Sequence, residues 1–119
     1  MNPETIIQND ILDFLNRNGI FAFRVNNGGV YDQSSGVYRN PGKFSLNGIS
    51  DIIGILPDGK ALFVEVKTEK GRMSQPQKVF IDKVNRCQAI GICVVSVIQT
   101  LDKLKEHGYD LRLDRNNSN

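Results

Sequence analysis

Apolar positions along this chain follow first a helical and then an alternating period. Ile7, Ile11, Phe14 and Leu15 lie on one helix face, with Asn2 placed to cap it, Pro3 at its first position and Gly19 as its stop. The stretch from Ile20 to Asn26, IFAFRVN, is rich in β-formers and predicts a strand in which Ala22, Arg24 and Asn26 share a face. Two further apolar runs, Ile52 to Leu56 and Ala61 to Val66, flank Pro57-Asp58-Gly59-Lys60. Pro suits the first central position of a type I turn, Asp the second, and Gly the left-handed position after it. That chemistry predicts a hairpin closed by a three-residue loop and a G1 bulge. Leu56 then faces Lys60, and counting outward pairs Ile55 with Ala61, Ile53 with Phe63, and Asp51 with Glu65. A two-residue loop at Asp58-Gly59 would shift the register by one and send Asp51 and Glu65 to opposite faces.

Thr68 to Met73 reads as a charged loop, after which Ser74-Gln75-Pro76-Gln77 opens a helix with a capping-box pattern. Phe80, Val84 and Cys87 form an apolar row there. Ile81 and Val84 follow Gln77 at spacings of four and seven, which puts Gln77 on the inner face near the end of the strand carrying Lys67. Gly91 is expected to end this helix. Ile92 to Val97, ICVVSV, is expected as a buried strand, parallel to Ala61 to Lys67 through a right-handed crossover. Thr100 to His107 reads as a short helix stopped by Gly108, Tyr109 to Leu113 as an edge strand, and Asp114 to Asn119 as a disordered tail.

Between the first strand and the hairpin lies a long polar segment, Asn27 to Asn47. It holds an echo, Gly29-Val30-Tyr31 and Gly36-Val37-Tyr38, that suggests a flexible hairpin around Asp32 to Ser35. Arg39 and Lys43 mix with Tyr31, Tyr38 and Phe44, as in a loop that contacts nucleic acid, although a plain solvated loop has the same look.

At 119 residues the chain is expected to form one domain over 1–113, with enough length for a real core. Its 39% apolar and 24% charged residues are those of a soluble globular protein, and a net charge of +2 leans only slightly toward an acidic partner. No apolar run is long enough to span a membrane, and the polar N-terminus is unlike a signal peptide, so a cytosolic chain is expected. Cys87 and Cys93 form no C-x-x-C pair and read as core thiols of a reducing compartment. His107, the one histidine, falls at a helix end, which excludes Ser-His-Asp chemistry and argues against zinc.

Chemistry concentrates at the open end of the hairpin. Lys67, two residues beyond Glu65, shares its face. Like charges directly opposite on a sheet repel, and buried carboxylates without partners protonate or destabilise. A divalent cation removes that conflict, and oxygen ligands suit Mg²⁺ or Mn²⁺. In the plainer alternative Asp51 merely opens a strand and Glu65 pairs with Lys67 at an edge. Glu4 lies on the apolar face of the first helix beside Gln8, either as a further acid of the site or as a complement to the helix dipole. Gln77 likewise either serves the site or only completes its cap.

Helix, strand, hairpin, helix and strand, with acids at the hairpin end, resembles the restriction-endonuclease-like core of the PD-(D/E)XK nucleases. That is an α/β fold, a mixed sheet flanked by helices in the order α-β-β-β-α-β. Within it the chain resembles the VRR-NUC (virus-type replication-repair nuclease) family, especially its small stand-alone members. The residues carrying the resemblance are Glu4 with Ile7 and Gln8, Arg24-Val25-Asn26, Gly48-Ile49-Ser50-Asp51, Glu65-Val66-Lys67, and Ser74 to Gln77. Ser50 departs from the superfamily signature, which has Pro before its Asp.

The resemblance implies that Asp51 and Glu65 bind Mg²⁺ or Mn²⁺, helped by the backbone carbonyl of Val66. Lys67 would orient or deprotonate the attacking water, Glu4 would be an outer ligand reached directly or through water, and Gln77 would position Lys67 or the scissile phosphate. Arg24, Asn26, Arg39, Lys43, Lys70, Arg72, Ser74 and Lys78 are the expected DNA contacts. The implied substrate is branched DNA in replication, repair or recombination, in a bacterial or phage-infected cell. Two symmetric cuts in a four-way junction would call for a homodimer. The alternatives are a DNA-binding module of the same fold that does not cleave, and a restriction-type or single-strand nuclease.

Overall fold

The computed structural model describes residues 2–25, 30–32, 37–39 and 48–116, with backbone alone for 30–32 and 37–39. Helix α1 spans Pro3–Arg17 and opens as its sequence dictates, with Asn2 Oδ1 accepting the N–H of Glu4 at 2.8 Å. Gly19, at φ 77°, turns the chain out of it. Strand β1 (Phe21–Arg24) follows, then β2 (Val30–Asp32) and β3 (Val37–Arg39), which pair antiparallel where the sequence echo suggests a hairpin. Next come β4 (Ile52–Ile55) and β5 (Ala61–Val66), α2 (Gln75–Arg86), β6 (Ile90–Val94) and α3 (Val97–Glu106).

One mixed sheet runs β1-β4-β5-β6. β1 and β5 lie antiparallel to β4, and β6 lies parallel to β5. The hairpin has the three-residue-loop register: Ile55 pairs with Ala61 and Ile53 with Phe63, and Leu56 N–H donates to the Lys60 carbonyl at 2.9 Å. Gly59 takes the left-handed position at φ 90°, and its N–H donates to the Leu56 carbonyl at 2.8 Å. The Tyr109 hydroxyl ties the turn to the C-terminal segment by donating to Asp58 Oδ2 at 2.8 Å.

The alternation of strands divides the sheet cleanly. Ala22, Ile52, Leu62, Val64, Ile90, Ile92 and Val94 are buried against Ile11, Phe14 and Leu15 of α1 and Leu104 of α3. Burying each of the larger side chains stabilises the fold by roughly 1.5–3 kcal/mol. The opposite face carries α2, with Phe80 packed edge-on against Phe63 at 5.3 Å between ring centres. Toward β1 that face stays open, leaving Phe21, Phe23 and Ile55 exposed.

Several expectations need correction, all beyond the hairpin. Helix α2 ends at Arg86, and Gln88, at φ 72°, makes the left-handed turn assigned above to Gly91. Gly91 instead lies in β6, where a side chain would collide with Val84: an added Cβ would sit 2.7 Å from its Cγ2. The last strand is therefore Ile90–Val94, and Ser96, inside the apolar run, caps α3 three residues earlier than the spacing of Leu101 and Leu104 suggests. Tyr109 to Leu113 forms no strand. The Asn18 side chain takes both the N–H and the carbonyl of Arg112, at 2.9 and 3.0 Å, in place of a neighbouring strand. Cys87 caps α2 and is exposed, so only Cys93, half-buried in β6, approaches the expected core thiol; neither forms a disulfide. In the tail, Asp114, Arg115 and Asn116 are exposed, and 117–119 lie outside the described residues.

Candidate active site

The register places Asp51 one step beyond the Ile52–Val64 pair, directly across from Glu65. Backbone bonds hold it there, since its carbonyl accepts the Val25 N–H at 2.8 Å. Its carboxylate Oδ2 accepts the Val66 N–H, also at 2.8 Å. Glu65 itself is 1% exposed. Its Oε1 accepts from Gln77 Nε2 at 3.2 Å and lies 3.7 Å from Lys67 Nζ. Its Oε2 is buried with no hydrogen-bond donor.

Burial, then the facing Asp51 carboxyl, push the Glu65 acid up to about 8, against the pull of the Lys67 ammonium. Two ionised carboxylates offer each other no donor, so the pair needs a shared proton or a cation between them. The charge of Glu4 adds slightly to the same rise, which puts it within electrostatic reach of Glu65. Among the described residues, however, no third His, Cys, Asp or Glu side chain joins the pair as a ligand cluster. Among the described residues the paired side-chain donors are thus two carboxylates. That suits Mg²⁺ or Mn²⁺, which commonly keep several waters and bind through one or two carboxylates plus phosphate oxygens.

Gln77 serves both purposes left open above. Its Oε1 accepts the Ser74 N–H at 2.8 Å and its own N–H donates to Ser74 Oγ at 3.3 Å, completing the capping box. Its remaining amide hydrogens face Glu65, rather than Lys67. Val66, which ends β5, is buried beside Val94. Ser50, preceding Asp51, is fully buried with its hydroxyl unpartnered.

The expected DNA contacts fall into three groups. Lys70, Arg72, Ser74 and Lys78 are exposed around the start of α2, with the Arg72 guanidinium donating to the Gly71 carbonyl at 3.0 Å. Arg24 is exposed but anchored to α1, with Nε donating to Gln8 Oε1 at 2.9 Å and its guanidinium also bonded to Asn9 Oδ1. Asn26, Lys43 and the side chain of Arg39 lie outside the described residues, as do those of Tyr31, Tyr38 and Phe44.

Two neighbours of the site escape a reading of the sequence. Cys93 pairs with Glu65 across the parallel β5–β6 ladder, and burial followed by the Glu65 charge pushes its thiol up. Gly48 packs against the start of α2: a Cβ there would lie 2.5 Å from the Pro76 carbonyl carbon and 2.7 Å from the Gln77 nitrogen. Gly48 also has φ 78°, which only glycine adopts freely. The glycine itself is visible in the motif, but its neighbour across the fold is not.

Comparison with known proteins agrees with this geometry. Residues 41–97 match the VRR-NUC domain family. A solved structure described as a VRR_NUC domain is similar with a TM-score of 0.65 and 24% sequence identity, over 92% of this chain and 100% of that one. A search of curated proteins found no match. The matched segment carries Asp51, Glu65, Lys67 and Gln77 together, and the similarity to the solved structure extends the shared fold over most of the chain.

Proposed function

We propose that this protein is a divalent-cation-dependent nuclease that hydrolyses phosphodiester bonds in DNA. The observation that carries the reading is Glu65, a carboxylate 1% exposed, with one oxygen lacking any donor, set opposite a second carboxylate. A hairpin that served packing alone would gain from an apolar pair at that position. Asp51 and Glu65 would hold Mg²⁺ or Mn²⁺, with the Val66 carbonyl as a candidate further ligand. When bound, such a cation supplies a more acidic water and offsets charge that builds on the phosphate. Lys67, on the same face and 15% exposed, would orient or deprotonate the attacking water and balance negative charge on the scissile group. Glu4 would act on the site from outside it, and the exposed Lys70, Arg72 and Lys78 would hold the DNA backbone.

Branched DNA, a four-way junction above all, is the substrate we infer. A homodimer would bring the second site that paired cuts require, and the exposed Phe21, Phe23 and Ile55 offer apolar surface for one. Cleavage of labelled four-way junction, flap, single-stranded and linear duplex DNA, with Mg²⁺ or Mn²⁺, tests the substrate. Preferred paired cutting of the junction, with a dimer in sedimentation, supports the reading. Preference for linear duplex or single strand assigns a restriction-type or single-strand nuclease instead, and tight binding without product assigns a non-cleaving module.

A further inference from the structure

We propose that Ser74 is a positioning residue for the metal-binding carboxylate Glu65, acting through the side-chain amide of Gln77; this rests on the nuclease reading above. An amide side chain has one accepting and one donating end. Ser74 N–H can only donate, so it takes the Gln77 oxygen, at 2.8 Å. The amide nitrogen is thereby committed to the other side, where it meets Glu65 Oε1 at 3.2 Å. Turning the amide over would set N–H against N–H at the cap and oxygen against oxygen at Glu65, so the cap selects the orientation. The Ser74 hydroxyl fixes the same residue a second time, accepting the Gln77 N–H at 3.3 Å.

A capping box ordinarily closes on itself at the surface of a helix. Here one member reaches into a buried acid, with Glu65 1% exposed. The same helical turn also touches the segment that carries the other carboxylate. Gly48, three residues before Asp51, lies so close to Pro76 and Gln77 that no side chain would fit. The first turn of α2 therefore abuts both carboxylate-bearing segments, and Ser74 holds its reaching side chain in register. Groups that orient metal ligands from behind commonly change metal affinity by about 10–100-fold when removed.

The test uses the full chain and reads the Gln77 side-chain amide by NMR without metal, then Mg²⁺ affinity by calorimetry without DNA. Ser74→Pro, which keeps the φ of −68° at this position but removes both the N–H and the hydroxyl, should move the Gln77 amide resonance toward that of a free amide and weaken Mg²⁺ binding about tenfold. Ser74→Thr, which keeps the N–H and a hydroxyl, should leave both as in the wild type. In a Gln77→Ala background, Ser74→Pro should change Mg²⁺ affinity no further, because the two substitutions act along one chain of contacts. Equal loss in both backgrounds, or an unmoved amide resonance, overturns the proposal. Should the wild type bind no Mg²⁺ while its amide responds to Ser74→Pro, the metal-binding reading falls and the proposal falls with it. An unmoved resonance in a protein that does bind Mg²⁺ removes the positioning role alone.

Discussion

Asp51 Oδ2 accepts the backbone N–H of Val66 at 2.8 Å, so the first acid of the hairpin is held by the strand that presents the second, Glu65. Asparagine can accept that N–H equally well while carrying no charge. Asp51→Asn is therefore expected to raise the thermal stability of the metal-free protein at pH 8, by on the order of 1–2 kcal/mol, through relief of like-charge repulsion. The same variant should lose the stabilisation that Mn²⁺ gives the wild type. Thermal unfolding of both proteins with and without Mn²⁺ checks the pair of outcomes; a metal-free Asp51→Asn less stable than wild type would sink the repulsion argument.

The raised acid of Glu65 gives a pH dependence with a definite sign. Between its ordinary value of 4.5 and about 8 the folded protein holds a proton that the unfolded chain has released. Stability from this group is then complete below pH 4.5 and is lost as pH rises toward 8, at a rate of at most about 1.4 kcal/mol per pH unit. Chemical denaturation in EDTA across that window should show the fall, and saturating Mg²⁺ should flatten it. A metal-free profile level from pH 5 to 8 would contradict the placement of Glu65.

Helix α2 carries a second testable pair of positions at its far end. Gln88 sits at φ 72°, and Gln88→Gly should stabilise the fold by up to about 1 kcal/mol by removing that strain. Gly91→Ala should destabilise it by about 1–3 kcal/mol, since the new methyl meets the stiff, β-branched Val84 at 2.7 Å. Urea denaturation measures both. Opposite signs are required, and stabilisation by Gly91→Ala would mean that the packing of α2 on β6 is misplaced.

These positions also mark how far the sequence could be read. The hairpin was legible because Pro57-Asp58-Gly59 favours a three-residue loop over a two-residue one, and the loop type sets the register that brings Asp51 opposite Glu65. The cap of α2 was legible for the same local reason. What lay beyond reach was set by contacts between distant segments. Gly91 has the chemistry of a helix stop, and only the approach of Val84 makes it a strand glycine. Arg112 has the surroundings of an edge strand until Asn18, 94 residues earlier, takes up its backbone groups. Gln77 was expected to position Lys67 or the scissile phosphate, and its contact with Glu65 emerges only once the cap has claimed the oxygen of its amide.

The most direct test of the central claim is cleavage of an end-labelled four-way junction by the wild type and by Lys67→Ala, across a Mn²⁺ titration. Cutting that requires Mn²⁺ and falls by about 10²–10⁴-fold in the variant, with Mn²⁺ binding retained, is the predicted result. Cutting that survives Lys67→Ala unchanged, or that proceeds equally well in EDTA, would contradict the assignment of this hairpin end as the active site.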